Sequence, residues 1–233
     1  MSRDSGVPTF RDALTGLWSR YDPHELANEP AFRRNPARVF GWYLWRWRLV
    51  RDAQPHKGYH ALVRMAEVFD ELLVVTQNVD GFHRRVGSKD VVELHGSLEA
   101  FRCLDRGHTY DADRLRSLTA SAEGEVEPPE CDVCGSPIRP GVVWFGEMLP
   151  QGAVERAWSA VSQCDALMVV GTSAVVYPAA ELPSIALARG RPVIEVNPEQ
   201  TPISGSVDLW WPERAEVALS RLADLLAPST VKQ

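Results

Sequence analysis

An open α/β fold, with a Rossmann-like doubly wound parallel sheet and a small inserted domain, is what this sequence predicts. Three observations carry that prediction. Short β-branched apolar runs alternate with helical stretches, the rhythm of strand–helix–strand crossovers. Several of the runs break abruptly into amide, carboxylate, hydroxyl or glycine, as strands do where an open sheet faces a ligand crevice. Between Gly96 and Pro140 the composition shifts to Ser, Asp, Glu, Pro and Gly, apolar periodicity fades, and three of the four cysteines appear. That shift marks an inserted module outside the sheet.

The elements follow in chain order. Ser5 to Asp22 carries glycine, proline and an aromatic and reads as a loop leading into a short helix. Pro30 to Ala53 reads as one helix dense in aromatics, with Phe40, Trp42, Tyr43, Trp45 and Trp47. Tyr43 and Arg46, three apart, are neighbours on one face of it. A phenol and a guanidinium side by side form a receptor for a carboxylate, which the guanidinium can bind bidentately; the same pair also suits plain packing with a snorkelling Arg. His60 to Phe69 is amphipathic, and a strand over Leu72 to Val75 follows.

That strand runs into Thr76-Gln77-Asn78-Val79-Asp80-Gly81, and a second apolar run, Val91-Val92, leads into Glu93-Leu94-His95-Gly96. Beyond the insertion, a helix over Ala153 to Val161 precedes strand Ala166 to Val170, which ends in Gly171-Thr172-Ser173. The spacing then predicts a helix over Ala179 to Ala188 and a strand over Val193 to Val196 ending in Asn197. A last strand over Val207 to Trp211 and a closing helix over Arg214 to Leu226 complete the pattern.

Bulk properties narrow the function. A chain of 233 residues, 45% hydrophobic and 24% charged, buries an ordinary soluble core. A net charge of −6 supplies no drive toward nucleic acid or anionic membrane. No apolar run approaches the ~20 residues that cross a bilayer, and Met1 to Asp4 carries no signal-peptide core. A cytoplasmic protein is expected, in which cysteines serve metal binding or burial rather than disulfides.

Thr76-Gln77-Asn78-Val79-Asp80, with His95-Gly96 about fifteen residues on, closely resembles the core motif of the sirtuin family of NAD-dependent protein-lysine deacylases. Further segments agree, in the family's order and over nearly the whole chain: Ser5 to Arg11, Val142 to Glu147, Gly171-Thr172-Ser173 with Val176-Tyr177-Pro178, and Glu195-Val196-Asn197. The resemblance implies transfer of an acyl group from lysine to the ADP-ribose of NAD, with release of nicotinamide. It implies His95 as the base that takes a proton from a ribose hydroxyl, a task suited to a group that titrates near neutrality.

Asn78 would contact the ribose and a water, Asp80 the nicotinamide carboxamide, and Gln77 a ribose hydroxyl, with Val79 in the same cofactor segment. Phe10 and Arg11 resemble the loop that folds over the nicotinamide end. Gly171, Thr172 and Ser173 would approach the phosphates, Asn197 the adenosine ribose, and Ala215 the adenine. Val143, Trp144, Phe145 and Gly146, with the segment after Ser173, would take the substrate peptide as an added strand, Trp144 and Phe145 lining the acyl-lysine tunnel. Tyr43 and Arg46 match the Tyr-x-x-Arg of class III members, which implies succinyl, malonyl or glutaryl groups. Residues 1–24, 60–98 and 142–233 are expected to form the NAD-binding domain, and 25–59 with 99–141 the small domain.

Two departures from the family pattern stand out. Structural zinc is usually held by two Cys-x-x-Cys pairs; here Cys131-Asp132-Val133-Cys134 is intact, but Cys103-Leu104-Asp105-Arg106 has Arg in place of the partner cysteine. Cys103, Cys131 and Cys134 remain as zinc ligands, with His108 or Asp105 as the fourth, and a metal-free small domain is the alternative. The family's first strand and the three small residues of its Gly-Ala-Gly-x-Ser loop are also missing, with Met1 at that motif's variable position, which reads as Met1 being an internal methionine or as a truncated form. Two other readings accompany the deacylase: an acyl-lysine binding module with impaired catalysis, and a mono-ADP-ribosyltransferase.

Overall fold

The computed structural model describes residues 1, 5–7 and 22–226 of the chain. Phe10 and Arg11 lie outside the described residues. A short helix α1 (Pro23–Leu26) opens the described part, followed by α2 (Glu29–Arg34) and α3 (Pro36–Asp52). The single helix expected over Pro30 to Ala53 is therefore two. Asn35 breaks it: its side-chain oxygen accepts from the Arg38 N–H at 3.0 Å, capping α3, and Pro36 takes the first helical position. Helix α4 (Lys57–Met65) begins earlier than expected, because the His56 ring accepts from Gly58 N–H at 3.0 Å.

Strands β1 (Val74–Thr76) and β2 (Val91–Glu93), joined through helix α5 (Phe82–Arg85), form a parallel pair with Val74 opposite Val91. Beyond the insertion come α7 (Gln151–Gln163), β6 (Leu167–Val170), α8 (Leu182–Ala188), β7 (Val193–Val196), β8 (Leu209–Trp211) and α9 (Ala215–Leu226). Strands β6, β7 and β8 form a second parallel sheet in that order. One apolar layer joins Val92, Leu94, Val169 and Val193 to Ala157 of α7 and Ala186 of α8. The opposite layer joins Leu72, Met168 and Val170 to Ala61 of α4 and Leu219 of α9.

The two parallel sheets thus share helices on both faces, as a doubly wound fold requires. Among the described residues no strand hydrogen-bonds to both β1 and β6, so the sheet stands in two pieces. In keeping with that, most of β1 and β6 is only half-buried.

The segment from Gly96 to Pro140 is less aperiodic than expected. It opens with the eight-residue strand β3 (Gly96–Cys103), which pairs antiparallel with β4 (Thr109–Tyr110) on one edge and β5 (Ile138–Val142) on the other, with α6 (Ala112–Thr119) alongside. Phe101, Leu115 and Ile138 pack against Phe40, Trp42, Leu44 and Trp47 of α3 in one buried cluster. At Gly96, φ is +71° and an added Cβ would lie 2.1 Å from the Gly141 carbonyl oxygen, so only glycine lets β3 cross β5 there.

Candidate active site

The polar ends of β1 and β6 and the residue following β7 converge. Gln77 donates its side-chain amide to Thr172 Oγ1 at 3.4 Å, and Asn197 donates Nδ2–H to the Thr172 carbonyl at 2.8 Å. Gly171 sits in the left-handed region at φ +58°, and an added Cβ would come 2.8 Å from the Met1 nitrogen. Only glycine fits so close to the Met1 backbone. Asp80 is buried, and its carboxylate accepts from the Phe82 N–H at 2.9 Å, anchoring the start of α5. Asp80 and Gly81 border a cavity of about 730 Å³, also lined by Arg51, Arg84 and Glu99.

His95 links this cluster to the antiparallel sheet. Its Nδ1 lies 3.0 Å from the Gln77 carbonyl oxygen, and its own carbonyl accepts from the Val143 N–H at 2.8 Å. The segment after Val143 is held by a network around Arg139. That guanidinium is buried, lies 3.3 Å from the Trp144 ring centroid, and grips both Glu147 carboxylate oxygens, with the Nη2–Oε2 contact at 3.1 Å. Glu147 Oε2 in turn accepts from the Trp144 N–H at 2.8 Å. Burial alone would push the Glu147 carboxyl up; the Arg139 and Trp144 hydrogen bonds outweigh it and hold the group below its ordinary value.

Trp144 is buried with Tyr43, ring centroids 6.3 Å apart, and with Phe32 at 5.3 Å. Burial raises the Tyr43 hydroxyl, so it stays a neutral donor. Arg46, one helical turn on, is half-buried with its guanidinium carbon 5.2 Å over the Trp42 ring. Burial lowers the Arg46 guanidinium, which nonetheless remains cationic. Phe145 is half-exposed against His24, and its N–H already donates to the Ala27 carbonyl at 2.9 Å.

In the small lobe, the ligand atoms of Cys103, His108, Cys131 and Cys134 all lie within 4.8 Å of one another. Burial disfavours the Cys103 thiolate, but the backbone N–H groups of Arg106 and His108 outweigh it and hold the thiol below its ordinary range. Three soft sulfurs and one imidazole are a donor set suited to zinc. Asp105 points elsewhere, paired with Arg33 at 2.8 Å.

The family model described as "Sir2 family" matches residues 1–178. A relative from Mycobacterium tuberculosis named NAD-dependent protein deacylase is 51% identical over 232 residues, covering 100% of this chain and 96% of that protein. The chain belongs to the Sir2 family. Among solved structures, a Sir2 homologue in complex with NAD superposes with a TM-score of 0.87 at 43% identity, covering 97% of this chain and 85% of that one. A substituted Sir2 homologue bound to 2′-O-acetyl-ADP-ribose gives 0.84 at 40% identity, with 100% and 91% covered.

Within this Sir2 framework, Gln77, His95, Thr172, Asn197, Val143 and Trp144 are brought into one connected line. Asn78, Val79 and Ser173 adjoin these residues in sequence, and Gly146, after Phe145, takes φ +87°. Ala215 does not join the strand ends; it is buried in the packing of α4 against α9. Arg139 and Glu195 went unassigned from sequence. Glu195 is fully buried in β7 and accepts from the Thr201 hydroxyl at 2.5 Å and from Ser204, bracing the loop after Asn197. The available signal was the same for both: an ionisable residue inside an apolar strand, which burial permits only when partnered. Among the described residues, no helix is long and apolar enough to cross a membrane.

Proposed function

We propose that this chain, an NAD-dependent protein deacylase of the Sir2 family, removes acidic acyl groups such as succinyl from lysine, with Tyr43 and Arg46 as the carboxylate receptor. The observation that carries the reading is the unbroken line from Asn197 through Thr172, Gln77 and His95 to Val143, Trp144 and Tyr43. It puts a strand-end cofactor cluster at one end and a phenol–guanidinium pair at the other. When bound, NAD supplies the ribose carbon that accepts the acyl oxygen as nicotinamide leaves.

The chain's own residues bind, orient and move the proton. Gly171, Thr172 and Ser173 offer backbone and hydroxyl donors to the phosphates. Asn197 holds the adenosine ribose. Gln77, Asn78, Val79 and Asp80 orient the nicotinamide riboside, and Phe10-Arg11 covers it. His95 keeps Nδ1–H on the Gln77 carbonyl, which leaves the Nε2 lone pair to accept a ribose hydroxyl proton.

Acyl-lysine peptides would lie along residues 143–146 as an added strand. Trp144 walls the acyl chain. The same proposal divides the molecule into an NAD-binding domain (1–24, 60–98, 142–233) and a small domain (25–59, 99–141). The four free cysteines suit a reducing compartment, and we place the protein in the cytoplasm.

The deciding experiment compares NAD-dependent removal of succinyl and acetyl groups from one lysine peptide by the wild type and by Arg46→Met. A hydrogen-bonded charge partner is worth ~1.5–3 kcal/mol, so desuccinylation is expected to fall by at least about tenfold while deacetylation changes little. Equal losses on both substrates would reduce Tyr43 and Arg46 to packing residues.

A further inference from the structure

The small lobe carries a ligand substitution that has a geometric origin. Strand pairing sets Phe101 opposite Tyr110 and Arg102 opposite Thr109, so the next cross-strand position places His108 opposite Cys103. The turn between them closes tightly: Cys103 N–H donates to the His108 carbonyl at 2.8 Å, His108 N–H donates to Cys103 Sγ at 3.2 Å, and Gly107 takes φ +69°. The second turn is built alike. Gly135 N–H donates to the Cys131 carbonyl at 2.8 Å, as Gly107 N–H does to that of Cys103 at 3.2 Å, and Gly135 has φ +70°.

The two turns differ in where the second ligand sits. In the second it is Cys134, three residues after Cys131. In the first, that position is Arg106, which is exposed. His108, two residues further, fills the place from the facing strand.

The distances bear this out. A tetrahedron with zinc–sulfur bonds of ~2.3 Å and zinc–nitrogen bonds of ~2.05 Å has sulfur–sulfur edges of about 3.8 Å and sulfur–nitrogen edges of about 3.6 Å. Cys103 Sγ and Cys134 Sγ are 3.7 Å apart, and Cys131 Sγ and His108 Nδ1 are 3.5 Å apart. Asp105 is drawn off by Arg33, and its backbone N–H is tied to Ser136 Oγ at 3.1 Å.

We propose that this chain holds zinc in a three-thiolate, one-imidazole site, with His108 Nδ1 as the fourth ligand in place of the cysteine missing at Arg106. Replacing a thiolate by a neutral imidazole leaves the site with one fewer negative charge than a four-sulfur site. The proposal is independent of the acyl preference argued above, and its test reads metal rather than turnover.

The test measures zinc per chain in the purified full-length protein, then the visible spectrum of the cobalt(II)-exchanged protein, with zinc affinity by chelator competition. Expected are one zinc per chain and a tetrahedral cobalt spectrum with thiolate charge-transfer intensity for three sulfurs. His108→Ala should lose at least tenfold in affinity and shift the bands. His108→Cys should keep tight binding with added sulfur charge transfer, which also guards against a variant that merely misfolds. Asp105→Asn should leave spectrum and affinity unchanged. A wild type without zinc, a His108→Cys spectrum identical to wild type, or bands that respond to Asp105→Asn would each overturn the assignment.

Discussion

The His95 Nδ1 and the Gln77 carbonyl oxygen are 3.0 Å apart. A carbonyl only accepts, so this contact sets the ring's tautomer: the proton sits on Nδ1 and the lone pair on Nε2. His95 also accepts the Val143 N–H through its own carbonyl. One residue thereby ties the end of β1 to the segment that follows β5.

Replacing His95 by alanine is expected to lower NAD-dependent deacylation by about 10²–10⁴-fold, the usual contribution of a positioned base. The urea midpoint should stay close to wild type, since the ring is half-buried and makes one side-chain hydrogen bond. Steady-state deacylation alongside a denaturation curve checks both points. Substantial residual turnover in a folded variant would remove His95 from the base role.

Arg139 positions Trp144, directly through the ring and through Glu147. Lysine there keeps the charge but loses the planar fork that grips Glu147 and stacks on the indole. Arg139→Lys should therefore raise KM for acyl peptides more than it lowers kcat, and cost about 1–2 kcal/mol in stability. A fall in kcat with unchanged KM would place the effect elsewhere.

Glu147 makes acid stability testable. Its carboxyl is held below the ordinary 4.5 in the folded state. The stabilisation is therefore fully present above about pH 4.5 and is lost as pH falls through the lower folded value. Glu147→Gln should be less stable than wild type by ~1–3 kcal/mol at pH 7, and the gap should close as pH drops below 4.5. Urea unfolding at pH 7 and in the acid range reads this directly; a gap that stays constant with pH would refute the ion-pair account.

Gly96→Ala should cost more than about 2 kcal/mol, because it combines a left-handed φ with a Cβ set against the Gly141 carbonyl. Thermal unfolding and activity should fall together, since β3 leads directly from His95. A wild-type midpoint would mean that β5 can move aside at this crossing.

Much of this molecule follows from local chemistry in the chain. The β-branched runs at Val74, Leu167 and Val193 marked the parallel strands, and the abrupt polar exits at Gln77, Gly171 and Asn197 marked the strand ends that converge on Thr172, because strand burial and strand termination are both written in nearby residues. The aromatic helix was recognisable too, although Asn35-Pro36 divides it; the capping signal is short and lies inside a longer apolar pattern. Strand β3 was hidden because its partners, β4 and β5, pair with it from distant or turn-reversed positions that no local window reports.

What only the tertiary structure decided is which ionisable groups face one another. Arg139 meets Glu147 and the Trp144 ring, Glu195 meets Thr201 and Ser204, and His108 rather than Asp105 meets the three thiols. The physical reason is common to all three. A buried charge or a metal ligand is defined by partners that chain reversal brings together, and the direction in which a side chain leaves a turn depends on backbone angles and strand register rather than on residue type alone.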